Sequence, residues 1–150
     1  MSGDAMPGDV TIRACLLEET PLLFDFWKQA AAGESVTDDS TSVNILLKHR
    51  EDSILIAVVG GEIVGTVIGV FDGWRGNIYR LVVLPSQRGR GIARMLVRAA
   101  EQRLIIRGAK RLVALASSHS ETAGPFWDSM VSDGWHPSHP AARYAKTVER

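Results

Sequence analysis

Apolar residues recur along the chain with two spacings, and each spacing predicts a different secondary structure. Leu23, Phe26, Trp27 and Ala30 follow the i, i+3, i+4, i+7 rule of a helix with one buried face. The unbroken apolar run Ile54–Val59 instead indicates a buried strand. The same criteria predict strands at Val10–Ala14, Glu62–Phe71, Asn77–Leu84, Leu112–Ala116 and Tyr144–Val148. They predict further helices around Val43–Arg50, from Ile92 to Gly108 and over Pro125–Ser132.

Turn signals set the order of these elements. Gly60-Gly61 is typical of a two-residue hairpin turn, and Pro85 ends the strand before it. Thr20-Pro21 predicts a helix start, with the threonine hydroxyl as the cap. We therefore expect one α/β (α+β) domain over residues 10–150, after a flexible Pro/Gly-rich tail at 1–9. Its mixed sheet begins with antiparallel hairpins and continues with a βαβ crossover.

Composition places the chain in the ordinary globular class. It has 150 residues, of which 45% are hydrophobic and 23% are charged, and 17 basic residues balance 17 acidic ones. No apolar run approaches the roughly 18 residues of a membrane span. The single cysteine, Cys15, lies in an apolar segment, so we expect a buried structural thiol and a reducing cytoplasm.

Charge is concentrated in the middle of the chain. Residues 80–111 contain nine basic residues and one acidic residue, Glu101. The zero total argues against bulk nucleic-acid binding. Two interpretations of the basic segment stay open from charge alone, a solvated helix face or one local anion site.

The stretch from Leu81 to Ala93 carries the clearest chemical signal. A strand ends at Pro85, a loop of glycine and arginine follows, and a helix begins at once. Such a junction directs unpaired backbone N–H groups and the positive end of the helix dipole at an anion. Gly89 and Gly91 leave room for close approach, and Arg88 and Arg90 can pair with phosphate oxygens. The stretch lacks both the Gly-Lys-Ser/Thr ending of a P-loop and the Gly-x-Gly-x-x-Gly of a dinucleotide site.

Arg88-Gly89-Arg90-Gly91-Ile92-Ala93, preceded by Leu81-Val82-Val83-Leu84-Pro85, resembles the acetyl-CoA motif of the GNAT superfamily of N-acetyltransferases. Asp72-Gly73-Trp74-Arg75-Gly76 further resembles a small bacterial branch with one domain. The resemblance implies a mostly antiparallel sheet, flanked by helices, whose fourth and fifth strands splay apart. It implies that Leu81, Val82 and Val83 contact the pantetheine, with the Val83 amide polarising the thioester carbonyl. It places the pyrophosphate on Arg88, Gly89, Arg90, Gly91, Ile92 and Ala93, and puts Ser120 and Trp127 in the same site.

The resemblance also implies direct attack of a primary amine on the thioester, which requires a base. His119 and Glu121 are the main candidates for this base, and Asp72 and Tyr79 are less favoured candidates. Many members use a tyrosine acid where this chain has Trp127, which lacks a hydroxyl. Three alternatives follow: the thiolate leaves unaided, Tyr144 donates the proton, or the chain is a non-catalytic acyl-CoA-binding module.

The remaining expectations concern partners. Acidic residues crowd the region of the first two helices, which favours an acceptor amine with further positive charge; the alternative is that they only solvate those helices. His136 and His139 lack a third ligand, so we expect no metal. We expect a monomer or homodimer without nucleic-acid or membrane partners. Tryptophans are expected in the core or the cleft wall, namely Trp27, Trp74 and Trp135.

Overall fold

The computed structural model describes residues 9–33, 35–116, 121–138 and 142–149. They fall into two compact units, residues 1–114 and 115–150, which are considered separately below. Within the described residues, no helix is long and apolar enough to cross a membrane.

The first unit is built on a five-stranded sheet, and its strands follow one another in chain order. They are β1 (Thr11–Ala14), β2 (Ile54–Val59), β3 (Glu62–Phe71), β4 (Gly76–Val83) and β5 (Leu112–Ala114). All neighbours are antiparallel except β4 and β5, which are parallel. This confirms the predicted mixed, mostly antiparallel sheet, and β2 and β3 have the predicted bounds.

Helices cover both faces of the sheet. On one face, α1 (Thr20–Gln29) and α2 (Ser40–His49) bury their apolar stripes, including Leu23, Phe26 and Val43, in one cluster with Ile54 and Ile68. The periodicity that predicted these helices is therefore the periodicity of their contact with the sheet.

The other face packs against α3 (Ile92–Ile106), and glycines in β3 permit a close approach. A Cβ at Gly65 would lie 3.0 Å from Leu96 Cδ1, and one at Gly69 would lie 3.4 Å from Ala100 Cβ. Since α3 begins directly after the glycine–arginine turn, this packing fixes the turn at the end of β4.

The second unit contains α4 (Ala123–Ser129) and a short 3-10 segment, Met130–Asp133. That segment ends at Gly134, whose φ of 96° is left-handed. The predicted helix over Pro125–Ser132 thus exists, but its second half is wound more tightly.

Three predictions about single elements were wrong. The Thr20 hydroxyl does not cap α1; it donates to the Leu17 carbonyl (2.7 Å), because a 3-10 turn precedes the helix. Residues 142–149 form no strand: Tyr144 and Val148 are 92% and 67% exposed, so the alternation buries no apolar face. Trp74 is 73% exposed at the tip of the β3–β4 hairpin, with the Arg75 guanidinium 4.4 Å from its ring centroid.

Cys15 is buried, as predicted. Burial raises the pKa of its thiol to about 11, so the thiolate is disfavoured at neutral pH. The Sγ–H group lies 3.6 Å from the Leu16 carbonyl oxygen, which accepts from it. The residue has the properties of a structural thiol rather than a nucleophile.

Candidate active site

Among the residues that the structure describes, no strand pairs with the outer edge of the last five residues of β4. β5 pairs only with the first three residues of β4, joining Gly76 to Leu112 and Ile78 to Ala114. On the inner edge, the Leu84 N–H donates to the Val64 carbonyl (2.9 Å), so hydrogen-bonded and non-hydrogen-bonded pairs alternate from there. Val83 falls in a non-hydrogen-bonded pair with Gly65, and its N–H and C=O therefore point away from β3. This outer edge of β4 can accept an extended ligand as an added strand.

A β-bulge interrupts β4 at Arg80. Tyr79 pairs with Ile68 and Val82 pairs with Thr66, so Arg80 and Leu81 together stand opposite one residue, Val67. Arg80 has a φ of 52°, which is rare and costly for a residue with a side chain. Such a conformation persists only where neighbouring groups hold it.

Two buried side chains hold the backbone of the bulge. The Thr66 hydroxyl donates to the Arg80 carbonyl (2.9 Å) and accepts from the Trp27 indole Nε1–H (3.0 Å). Thr66 is fully buried and Trp27 is 4% exposed, so neither bond competes with water. Trp27 was expected in the core or cleft wall, and it fills the core with its polar edge satisfied.

The Arg80 guanidinium extends over the Trp27 ring, with its carbon 4.9 Å from the ring centroid. Its Nε and Nη2 donate to the Asp38 carboxylate, while Nη1 and Nη2 donate to the carbonyls of Ala32 and Gly33 (2.9 Å each). Arg80 thereby connects β4 to the α1–α2 loop. Sequence reasoning missed this contact because the arginine lies 42 residues from Asp38 and outside any turn motif.

The turn after β4 has the form that the motif predicts. Pro85–Gln87 is a short 3-10 segment, and Gly89 and Gly91 follow with φ of 81° and 79°. Gly91 is the N-cap residue of α3, and as a glycine it has no side chain with which to cap the helix. A Cβ at either glycine would meet no atom of the described part of the chain within 4 Å, so these residues leave the space above the turn open. The first amides of α3, which have no acceptors inside a helix, face a concavity suited to a phosphate group.

The basic segment around α3 does not act as one positive surface. Arg107 bonds to the Asp52 carboxylate, Arg103 lies 3.7 Å from it, and Arg80 is paired with Asp38. At the turn itself, Arg88 is exposed, and Arg90 donates to the Gln87 side chain. Positive charge for an anion is therefore local to the turn.

Several acidic residues near the first two helices likewise form ion pairs or cap a helix. Glu19 pairs with Arg13 (2.7 Å), Asp38 with Arg80 and Asp52 with Arg107, while Asp39 caps α2 by accepting from the Ser42 amide (2.7 Å). No ion-pair or hydrogen-bond partner is found, among the described residues, for Glu18, Asp25 and Glu51.

The candidate base Asp72 lies at the end of β4 that is opposite to Val83. It precedes the strand, about 20 Å along β4 from Val83 at the usual strand rise. Backbone N–H groups of Arg75 and Trp74 hold the pKa of its carboxyl below the usual range, which makes it a weak base. Tyr79, the other less favoured candidate, is half-exposed and lies on the same face of the sheet as Ile68.

The remaining predicted residues belong to the second unit or lie outside the description. Glu121 is exposed in the turn before α4, and Tyr144 is exposed in an irregular segment. Trp127 is half-buried in α4, its ring centroid 5.1 Å from that of Phe126 and 4.6 Å from that of Trp135. His119 and Ser120 lie outside the described residues. Within the described ranges, no cluster of three or more His, Cys, Asp or Glu side chains could hold a metal ion.

Comparison with known proteins gives a consistent result. The profile of the Acetyltransferase (GNAT) family matches residues 17–130. The chain is 34% identical over 110 residues to acetyltransferase plu1384 of Photorhabdus laumondii, covering 73% of this chain and 77% of that one. It is 37% identical over 101 residues to acetyltransferase ECA0875 of Pectobacterium atrosepticum, covering 67% and 72%.

Solved structures share the fold at lower identity. The PaiA N-acetyltransferase of Thermoplasma acidophilum, in complex with coenzyme A, superposes with a TM-score of 0.67 at 14% identity, covering 80% of this chain and 87% of that one. Ard1 of Thermoplasma volcanium superposes with a TM-score of 0.70 at 15% identity, covering 81% and 80%.

Proposed function

This chain belongs to the GNAT acetyltransferase family, and from that membership we propose that it transfers the acetyl group of acetyl-CoA to a primary amine. The acceptor would be a small molecule or a peptide. The observation that carries the proposal is the continuity of one surface: the outer edge of β4 leads directly into the open turn at Gly89 and Gly91.

This surface would hold the donor by its backbone. The pantetheine amides would pair with the outer edge of β4 near Leu81 and Val83, and the pyrophosphate would sit on the amides from Arg88 to Ala93. The Val83 N–H points away from β3, so it is the donor we assign to the thioester oxygen as negative charge develops there.

In the reaction, the amine nitrogen attacks the thioester carbonyl carbon and the carbon–sulfur bond breaks. The amine gives up a proton to a base, and the sulfur departs with the bonding electrons. We assign the base to His119 or Glu121. Alkyl thiols are far stronger acids than alcohols, so the CoA thiolate is an adequate leaving group and no acid is required at Trp127.

For the acceptor, we propose a cationic amine. Support comes from Glu18 and Asp25, two acids beside and within α1 that have no ion-pair or hydrogen-bond partner among the described residues. An acidic amino acid would be repelled by the same charges. Comparing a polyamine, an aminoglycoside and glutamate at low and high salt tests this part. A preference for glutamate, or a kcat/KM for the cations that salt leaves unchanged, would overturn it.

The donor site is tested with Gly91→Asp and its uncharged match Gly91→Asn. Both residues tolerate a left-handed backbone, so they share the strain and differ in charge. Unit charges about 5 Å apart near a protein surface repel by roughly 3 kcal/mol, which corresponds to roughly 100-fold weaker binding. Calorimetry with acetyl-CoA should therefore show a large loss in Gly91→Asp and a smaller one in Gly91→Asn.

Equal affinities for acetyl-CoA in the two variants and the parent, at equal melting temperatures, would contradict the proposed acetyl-CoA site at this turn. Catalysis itself is tested by CoA release with a panel of amines. Acetyl-CoA binding without release for any amine would favour the non-catalytic alternative that Trp127 motivates.

A further inference from the structure

The Arg80 guanidinium lies near the outer edge of β4, and each of its three nitrogens donates a hydrogen bond. It makes four hydrogen bonds, two to the Asp38 carboxylate and one each to the carbonyls of Ala32 and Gly33. Its face lies against Trp27, and the charged side chains of Arg80 and Asp38 are only 17% and 18% exposed. The α1–α2 loop is thus tied to β4 near both of its ends by one residue.

An ordinary surface ion pair does not explain this arrangement. Exposed pairs contribute little and rarely fix backbone geometry. Here the arginine sits in a left-handed backbone conformation, and two of its acceptors are main-chain carbonyls. The planar guanidinium matches three separate acceptors at once, which a lysine ammonium cannot do in the same geometry.

We propose that Arg80 is a positioning residue that sets the α1–α2 loop against the reacting end of the donor, and so determines how the acceptor amine is held. The inference rests on the proposed function. Arg80 immediately precedes Leu81, and Val83 is the residue to which we assign the thioester oxygen. A loop fastened to Arg80 therefore stands beside the carbonyl that the amine must reach. The loop also carries Asp38, and Arg80 neutralises the charge of its carboxylate. The contact with Arg80 therefore positions the loop without leaving an unpaired negative charge at Asp38.

Loss of the Arg80 guanidinium should weaken acceptor binding and leave acetyl-CoA binding nearly unchanged. Arg80→Gly removes the side chain and relieves the left-handed strain, so the bulge and the outer edge of β4 should persist. We expect the acceptor KM to rise about tenfold or more, since small misplacements of reacting groups have large kinetic effects. The acetyl-CoA dissociation constant should stay within about twofold, because its backbone contacts are kept.

Two more variants separate charge from geometry. Arg80→Lys keeps the charge and should still raise the acceptor KM, and Asp38→Asn should do so to a smaller extent. Added guanidinium ion at millimolar concentration should partly restore the Arg80→Gly enzyme and leave the parent unchanged. Arg107→Gln is the matched control: it breaks another partly buried arginine–aspartate pair between elements, at the far end of α3, and should leave both constants unchanged.

Amide hydrogen exchange over residues 30–40 supplies a readout that does not depend on turnover. Exchange should become faster in Arg80→Gly and stay as in the parent in Arg107→Gln. Unchanged exchange and acceptor KM in Arg80→Gly, or an equal loss of donor and acceptor binding, would overturn the inference while leaving the proposed function in place. A parent chain that acetylates no amine would instead overturn the proposed function, and the inference with it.

Discussion

Replacing Thr66 with valine tests the hydrogen-bond chain that holds the bulge in β4. Valine has nearly the shape of threonine, so the substitution leaves no cavity and removes only the hydroxyl. Two bonds are lost with it, from the Trp27 indole N–H (3.0 Å) and to the Arg80 carbonyl (2.9 Å).

The size of the effect follows from burial. Thr66 is fully buried and Trp27 is 4% exposed, so water cannot replace the lost partner of the indole. Leaving a buried polar group without its hydrogen bond costs about 1–3 kcal/mol, and two groups are affected here. We therefore expect a loss of about 2–4 kcal/mol in the free energy of unfolding. At about 2–4 °C per kcal/mol for a chain of this size, the melting temperature should fall by roughly 5–15 °C.

Urea unfolding, followed by tryptophan fluorescence and by circular dichroism, measures the loss. Thr66→Ser is the matched control, because it keeps the hydroxyl and gives up only a methyl group, at about 1 kcal/mol. In the double variant Thr66→Val with Trp27→Phe, no indole N–H is left unpaired. The double variant should thus be more stable than the sum of the single losses predicts, by about 1 kcal/mol.

The reasoning would be refuted if Thr66→Val were as stable as Thr66→Ser. It would also be refuted by strict additivity in the double variant, since the indole N–H would then have had no energetic link to Thr66.

Other predictions concern the acid role and the pH dependence of stability. Trp127→Phe should keep most of the maximal rate, and a collapse of kcat at unchanged stability would show that the indole matters to the chemistry. Tyr144→Phe should keep the alkaline limb of the kcat profile, and loss of that limb would make Tyr144 the acid. Hydrogen bonds from Arg13 lower the pKa of Glu19 to about 2, from an ordinary value of 4.5. The stabilisation from Glu19 is therefore complete above about pH 4.5 and is lost as the pH falls towards 2. In Glu19→Gln, urea unfolding should show about 1 kcal/mol less stability at pH 7 and a shallower decline between pH 4.5 and 2; an unchanged acid limb would contradict this.

The strands β2 and β3 were predictable because burial and local turns gave the same boundaries. The apolar run Ile54–Val59, the glycine pair after it and the strand from Glu62 agree in register, so β2 and β3 have the predicted ends. The turn at Gly89 and Gly91 was predictable for a similar reason, since it needs only neighbouring residues to form.

The bulge at Arg80 could not be predicted, because nothing local favours it. Arginine has no preference for a left-handed backbone, and the groups that hold it there come from α1, β3 and the α1–α2 loop. Charge counting could not separate the two interpretations of the basic segment for the same reason: Arg80 and Arg107 pair with acids 42 and 55 residues away. Contacts over such separations depend on the assembled fold.

Errors in single elements came from motifs with more than one local solution. A threonine before a proline can cap a helix or bond backwards, and at Thr20 a preceding 3-10 turn offers the Leu17 carbonyl first. Alternation near the end of the chain contains too few apolar residues to bury a face, so Tyr144 and Val148 stay exposed. An exposed Trp74 is stable at a hairpin tip because the Arg75 guanidinium stacks on its ring.

The short pairing between β4 and β5 exposes a strand edge, and the form of that edge bears on which molecules can pair with it. A regular strand edge with unpaired N–H and C=O groups is a template on which another copy of the chain can add a strand. Along β4, the two-for-one register at Arg80 and Leu81 breaks the even spacing that such an addition needs. The proline after Leu84 then ends the edge, because it has no N–H to offer. A flexible small ligand can follow that interrupted edge more readily than the straight strand of a second protein molecule can.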